Sequence, residues 1–171
     1  MSMTSAEKIK AIIRDAGGEI VGRTRLQKIA YLLTATGLED GFSFAYKHYG
    51  PFSDDVAKGA RVGSLLGQIQ EEERPTAWGG FFSIYRVGEL ATPDTCDVRR
   101  SLVQTAVAAD AVELELAATA VFLANEGIED PWGETARRKP EKSEGQRLQR
   151  AKQLLQQLQE LQTPKPLPAM V

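Results

Sequence analysis

The chain of 171 residues has one cysteine, Cys96, and one histidine, His48. A single cysteine excludes an intrachain disulfide and suits a reducing compartment. The two counts together exclude the usual zinc sites, which draw about three or four ligands from Cys, His and carboxylates. Nucleophilic catalysis is also short of parts, because it needs a nucleophile held beside a base. No charge-free apolar run approaches the roughly 18 residues of a membrane span. The start, Met-Ser-Met-Thr-Ser-Ala-Glu-Lys, has no apolar run either, which predicts no signal peptide and a cytoplasmic protein. Neither sign of charge dominates: 21 Lys and Arg face 23 Asp and Glu, a net charge of −2, so the whole chain reads neither as a nucleic-acid coat nor as an acidic tail.

Motifs of familiar chemistry are missing as well. The carboxylates of Asp54-Asp55, Glu71-Glu72-Glu73, and Glu113 with Glu115 are one or two residues apart, a spacing that does not converge on one site. Gly59, Gly63 and Gly67 recur every fourth residue, and Gly79-Gly80 suits a turn. Neither set makes a phosphate loop or a dinucleotide fingerprint. Close helix packing and a helix stop explain the spaced glycines. No catalytic, cofactor-binding or metal-ligating residue is expected, so the chain reads as non-enzymatic.

What is present is an average globular composition, 42% apolar and 26% charged, on a length sufficient for a core. The spacing predicts a helix over Thr4–Ala16 with a Thr4/Glu7 capping box, and a second from a Thr24/Gln27 box to Gly37. Alternating aromatics predict a short strand over Phe42–Tyr49, broken by Gly50-Pro51. Ser53 caps a third helix, Asp54–Leu66, with Asp54 and Asp55 in its first turn. Gln68–Arg74 and Phe81–Val87 pair as a hairpin around Pro75–Gly80, and Glu89–Cys96 reads as a linker. Val98–Asn125 is one central buried helix or two in series. Asp130-Pro131 opens a short helix that runs to about Lys139. A Ser143/Gln146 box opens the last helix, whose leucine stripe makes a homodimer conceivable, and the proline-containing tail Thr163–Val171 is expected to be disordered or extended.

The expected fold is α+β and predominantly helical: a winged-helix-like unit with a β-hairpin over residues 1–92, a helical extension over 97–162 packed on it, and a flexible tail over 163–171. A winged helix invites DNA binding. Here the recognition helix would lead with Asp54 and Asp55, and the first wing strand carries Glu71, Glu72 and Glu73, all of which repel phosphate. The second half is also unevenly charged. Asp97–Glu134 holds 8 acidic and 2 basic residues, and Thr135–Val171 holds 8 basic and 3 acidic. The two stretches neutralise each other within the fold, or else Arg137, Arg138 and Lys139 form a basic docking face.

Two segments carry a family likeness. The run Gly22-Arg23-Thr24-Arg25-Leu26-Gln27-Lys28-Ile29-Ala30-Tyr31-Leu32-Leu33, followed by Tyr49-Gly50-Pro51-Phe52-Ser53, resembles the Panacea domain of SocA-like antitoxins and the related YwgA-type bacterial proteins. The likeness covers about residues 5–90. It implies a bacterial or phage-associated cytoplasmic protein that binds and neutralises a toxin encoded beside it; SocA-like members can act as proteolytic adaptors. The leading expectation is therefore a protein-interaction module whose surface includes Arg23, Arg25, Lys28, Tyr46, His48 and the exposed side of the hairpin, with Trp78 at the hairpin loop, since Trp and Arg are enriched where binding energy concentrates. The alternative is a DNA-binding transcriptional regulator.

Overall fold

The computed structural model describes residues 3–47, 49–90 and 97–170. His48 and Cys96 lie outside the described residues. The order is α1 (Ser5–Asp15), β1 (Glu19–Val21), α2 (Arg23–Ala35), β2 (Ala45–Lys47), β3 (Gly50–Phe52), α3 (Asp54–Leu65), β4 (Gln70–Pro75), β5 (Phe81–Arg86), α4 (Asp97–Ala108), α5 (Ala111–Asn125), α6 (Pro131–Arg138) and α7 (Arg147–Gln159). Among the described residues, seven helices with two small antiparallel sheets make an α+β fold that is predominantly helical. None of the described helices is long and apolar enough to cross a membrane.

Local signals account for several boundaries. Thr4 Oγ1 accepts from Glu7 N while Glu7 returns a carboxylate to Thr4 N, so the first capping box is complete. Ser53 caps α3 through Val56 N. Gly59 is where α1 crosses α3: a Cβ there would stand 3.0 Å from the Ser5 backbone, so any larger residue would push the two helices apart by a few tenths of an ångström. Asp110 caps α5 and separates it from α4, which makes Val98–Asn125 two helices. Helix α5 is buried on nearly every side from Leu114 to Leu123, as its unbroken apolar sequence requires.

Other expectations are corrected. Glu19–Val21 is a strand rather than a connector; it pairs with β5 and gives a three-stranded sheet in the order β1-β5-β4. Gly50–Phe52 does not end the aromatic strand but turns back to pair with Ala45–Lys47. Thr24 does not cap α2, which begins one residue earlier, at Arg23, after Gly22. Gln27 is instead drawn across to the backbone of Ser53. Ser143 caps nothing: α7 begins at Arg147 without a side-chain cap. The leucine stripe of α7 is not an open dimerisation surface, because Ala151, Leu154, Leu155 and Leu158 are buried in the same core as α2 and α5. The tail also folds back. Lys165 N donates to Thr36 O at 2.9 Å, Gln159 Nε2 to Pro168 O at 2.8 Å, and Leu167 is buried in the core.

A buried ion pair ties the two halves together. Asp15, at the end of α1, is fully buried and accepts from Arg99 Nε of α4 at 2.8 Å. The same guanidinium donates to Leu38 O at 2.8 Å and reaches Glu39 at 3.4 Å.

Candidate interaction groove

The two segments that carry the family likeness meet in space. Gln27 Nε2 donates to Ser53 O, and Ser53 N donates to Gln27 Oε1, both at 2.9 Å and both buried. One residue on, Lys28 Nζ donates to Pro51 O at 2.8 Å. This clasp fixes the turn at residues 49–53 against the start of α2. Gly50 is obligatory in it: its φ is +93°, and a Cβ would come within 2.3 Å of Thr119 Oγ1 on α5.

Between the clasp and the sheet lies an open groove of about 460 Å³. Its cations are Arg23, Arg25 and Lys28, and its aromatics are Tyr49, Phe52, Phe81 and Phe82. Tyr49 is 57% exposed and Phe81 70% exposed. Large aromatic rings left open to water on neighbouring elements mark an interaction surface more often than an isolated apolar residue does. A second hollow of about 320 Å³ shares Arg23, Gln27 and Phe52 with the groove and continues toward Tyr85 and Arg61.

The C-terminal helices help to place the groove's rim. Lys142 Nζ lies 4.7 Å from the centre of the Tyr49 ring and donates to both carboxylate oxygens of Glu115, at 3.0 and 2.8 Å. Glu115 is buried on α5 and is also paired with Lys139 at 3.0 Å. Lys28, Lys139 and Lys142 therefore gather around one carboxylate. Burial, reinforced by Lys139 and Lys142 and opposed by Glu115, pushes the Lys28 amine down to about 7.

The expected site residues fall in different places. Arg23 lines the groove with its side chain exposed and reaches Glu71 and Glu73 at 3.4 Å. Arg25 lines it too but is half-buried: its Nη1 donates to the carbonyls of Val107 and Ala109 at 3.2 and 2.5 Å, closing the end of α4. Lys28 is not a surface cation; at 1% exposure it forms part of the groove's floor. Tyr46 is half-buried, packed on Phe122 and covered by the Arg138 guanidinium at 4.7 Å. Trp78 stands at the hairpin turn with 88% of its surface exposed. The expected basic docking face is divided: the Arg137 side chain stays exposed, the Arg138 side chain is partly covered, and Lys139 leaves the surface. Arg137 and Arg138 both bind Glu134, pulling its carboxyl down to about 2, while Lys139 is buried on Glu115. The acidic and basic stretches therefore pair within the fold.

Among the described residues no group of three or more His, Cys, Asp or Glu could hold a metal ion. Asp54 and Asp55 lie where the sequence puts them, Asp55 accepting from Ser43 N and Asp54 standing 3.9 Å from Lys47. The wing carboxylates are paired: Glu71 accepts from Ser83 Oγ at 2.6 Å, and Glu72 from Arg74 and Arg86, which hold it down to about 2.

Sequence reasoning named the exposed side of the hairpin without singling out Phe81 and Phe82, and passed over Tyr49 and Phe52 as groove residues. The signal was there for one pair, since consecutive aromatics at the head of a strand must point to opposite faces. No family model and no curated protein matches the chain.

Proposed function

We propose that this chain is a non-enzymatic, cytoplasmic protein-interaction module of antitoxin type, built on a winged-helix-like unit, and that it holds its partner in the groove between the start of α2, the turn at residues 49–53 and β5. The observation that carries the reading is the open aromatic groove itself: Tyr49 and Phe81 stand in water beside Arg23, the composition that dominates binding energy at protein interfaces. The winged-helix reading is supported by the order α1-β1-α2-α3-β4-β5 with β1 on the free edge of β5. The antitoxin reading is supported by the resemblance to the Panacea domain, whose two segments here form one clasp.

A DNA-binding role has weaker support. The sheet's carboxylates are balanced by Arg23, Arg74 and Arg86 rather than replaced by a basic face, and α3 begins with two aspartates. The test is co-expression with the products of the neighbouring genes. A neighbour that is toxic alone, is tolerated with this chain, and co-purifies with it but not with a Phe81→Ser variant supports the proposal. If no neighbour is toxic and none co-purifies, the antitoxin reading fails.

A further inference from the structure

The groove is lined by three cations and by no carboxylate among the described residues. Two of those cations direct their donors to neutral partners. Arg25 donates to the carbonyls of Val21, Val107 and Ala109, and Lys28 to the carbonyl of Pro51. Among the described residues no carboxylate stands within ion-pair distance of either. Carbonyls satisfy hydrogen bonds without cancelling charge, so Arg25 keeps a positive field in the groove, with Asp110 acting on it only from beyond ion-pair distance, and Lys28 adds to it in its protonated form. Partial burial screens that field less than water screens a surface charge. Behind Lys28, Glu115 takes both Lys139 and Lys142 as ion-pair partners. At the mouth the surface turns apolar, with Phe81 and Tyr49 exposed.

We infer that the groove's occupant is an acidic protein segment that places a carboxylate side chain beside Arg25, over the floor that Lys28 forms, and an adjacent apolar side chain on Phe81 and Tyr49. The inference rests on the reading of the groove as a protein-docking surface and adds the chemistry of what docks. A nucleic acid fits less well, because Glu71, Glu72 and Glu73 on the adjoining strand repel a phosphate chain running on beyond the groove. One carboxylate needs no such continuation. An incoming carboxylate also favours the charged form of Lys28, whose neighbours are Glu115, Lys139, Lys142 and the Pro51 carbonyl, so binding takes up a proton near neutral pH.

The test is a fluorescence-anisotropy titration of the full chain, to about 1 mM, with fluorescein-labelled Gly-Ser-Gly-Asp-Phe-Asp-Gly-Ser-Gly and with its Asn-Phe-Asn and Lys-Phe-Lys counterparts. The Asp peptide is expected to bind at least about tenfold more tightly than the Asn peptide, the size of effect a charge-assisted hydrogen bond gives. Phe81→Ser, which removes an exposed ring and leaves the fold intact, is expected to weaken the Asp peptide about tenfold. Lys28→Met, its fold checked by circular dichroism, is expected to shrink the Asp-over-Asn preference while keeping Phe81-dependent binding. Equal affinity of the Asp and Asn peptides, both lost in Phe81→Ser, overturns the acidic occupant and leaves the docking groove standing. Binding indifferent to Phe81→Ser overturns both the occupant and the docking groove. Absence of binding by the Asp peptide, or its displacement by equimolar AMP, overturns the acidic protein segment.

Discussion

Replacing Lys28 by Met tests how the clasp is built. Lys28 is 1% exposed, its amine donates to Pro51 O at 2.8 Å, and burial pushes its pKa from 10.5 down to about 7. Between those two values the unfolded chain binds a proton that the folded chain does not, so stability rises with pH across the window. Below pH 7 both states are protonated and the full cost of the buried charge is present. At one pKa unit per tenfold, the rise from pH 6 to pH 9 is about 3 kcal/mol. Methionine has a similar length and no charge, so the variant lacks that rise. It also leaves the Pro51 carbonyl without its donor, which costs about 1–3 kcal/mol at every pH. The expected outcome is a variant more stable than the parent by a few kcal/mol at pH 6 and within about 1 kcal/mol of it at pH 9. Urea denaturation followed by circular dichroism at pH 6, 7, 8 and 9 reads both curves, with the m-values checking that the transition stays two-state. Tyr31, pushed by burial up to about 12, titrates above this range and does not interfere. Parallel stability curves for parent and variant would refute the argument, since they would mean that Lys28 keeps its proton on folding.

Three further outcomes are expected. Arg99→Met leaves the buried Asp15 carboxylate without its hydrogen-bonded partner, with only Arg14 Nε 3.9 Å away, and is expected to cost about 3–5 kcal/mol, measured by the same denaturation at pH 7. Gly50→Ala forces a side chain onto a positive φ and against Thr119 Oγ1, and is expected to cost at least about 2 kcal/mol; adding Thr119→Ala should recover the clash but not the backbone strain. Trp78→Ser, at a fully open turn, is expected to move stability by no more than about 0.5 kcal/mol, so any loss of partner affinity in that variant reports contact rather than folding.

Much of the fold is written in local chemistry, and it was legible for that reason. The Thr4/Glu7 box, Ser53, Gly37 and Asp130-Pro131 act within a few residues of themselves, and each marks a real helix end. Thr24/Gln27 and Ser143/Gln146 have the same spacing and cap nothing, because a pattern of residue types does not reveal a better partner elsewhere in the chain. For Gln27 that partner is the Ser53 backbone, 26 residues on. The three residues of β1 carry too little pattern to be read as a strand, and only pairing with β5 makes them one. The candidate site was half legible for the same reason. Arg23 is picked out by residue type and lines the groove with its side chain exposed, whereas Trp78 is exposed at the hairpin turn and does not line the groove. Lys28 was misplaced as a surface cation, because its burial is set by α5 and by the segment after α6, more than 80 residues away in the chain.

The net charge of −2 conceals a division of labour among the cations. Where a cation is paired with a carboxylate, it holds structure: Arg99 joins α1 to α4, Arg138 and Arg137 fix the end of α6, and Lys142 anchors on Glu115 while its ammonium supports the Tyr49 ring. Where a cation is satisfied by carbonyls, its charge is left for something else to meet, and the two clear cases, Arg25 and Lys28, border the same groove. Burying a cation on carbonyls costs more than pairing it directly with a carboxylate, and Asp110 and Glu115 act on Arg25 and Lys28 only from beyond ion-pair distance. A fold that needed only to close the end of α4 and the turn at Pro51 could do so with neutral donors such as the Gln27 amide next door. Under the proposed docking reading, the half-buried Arg25 guanidinium is the charge left for the groove's occupant, with Lys28 beneath it in the floor.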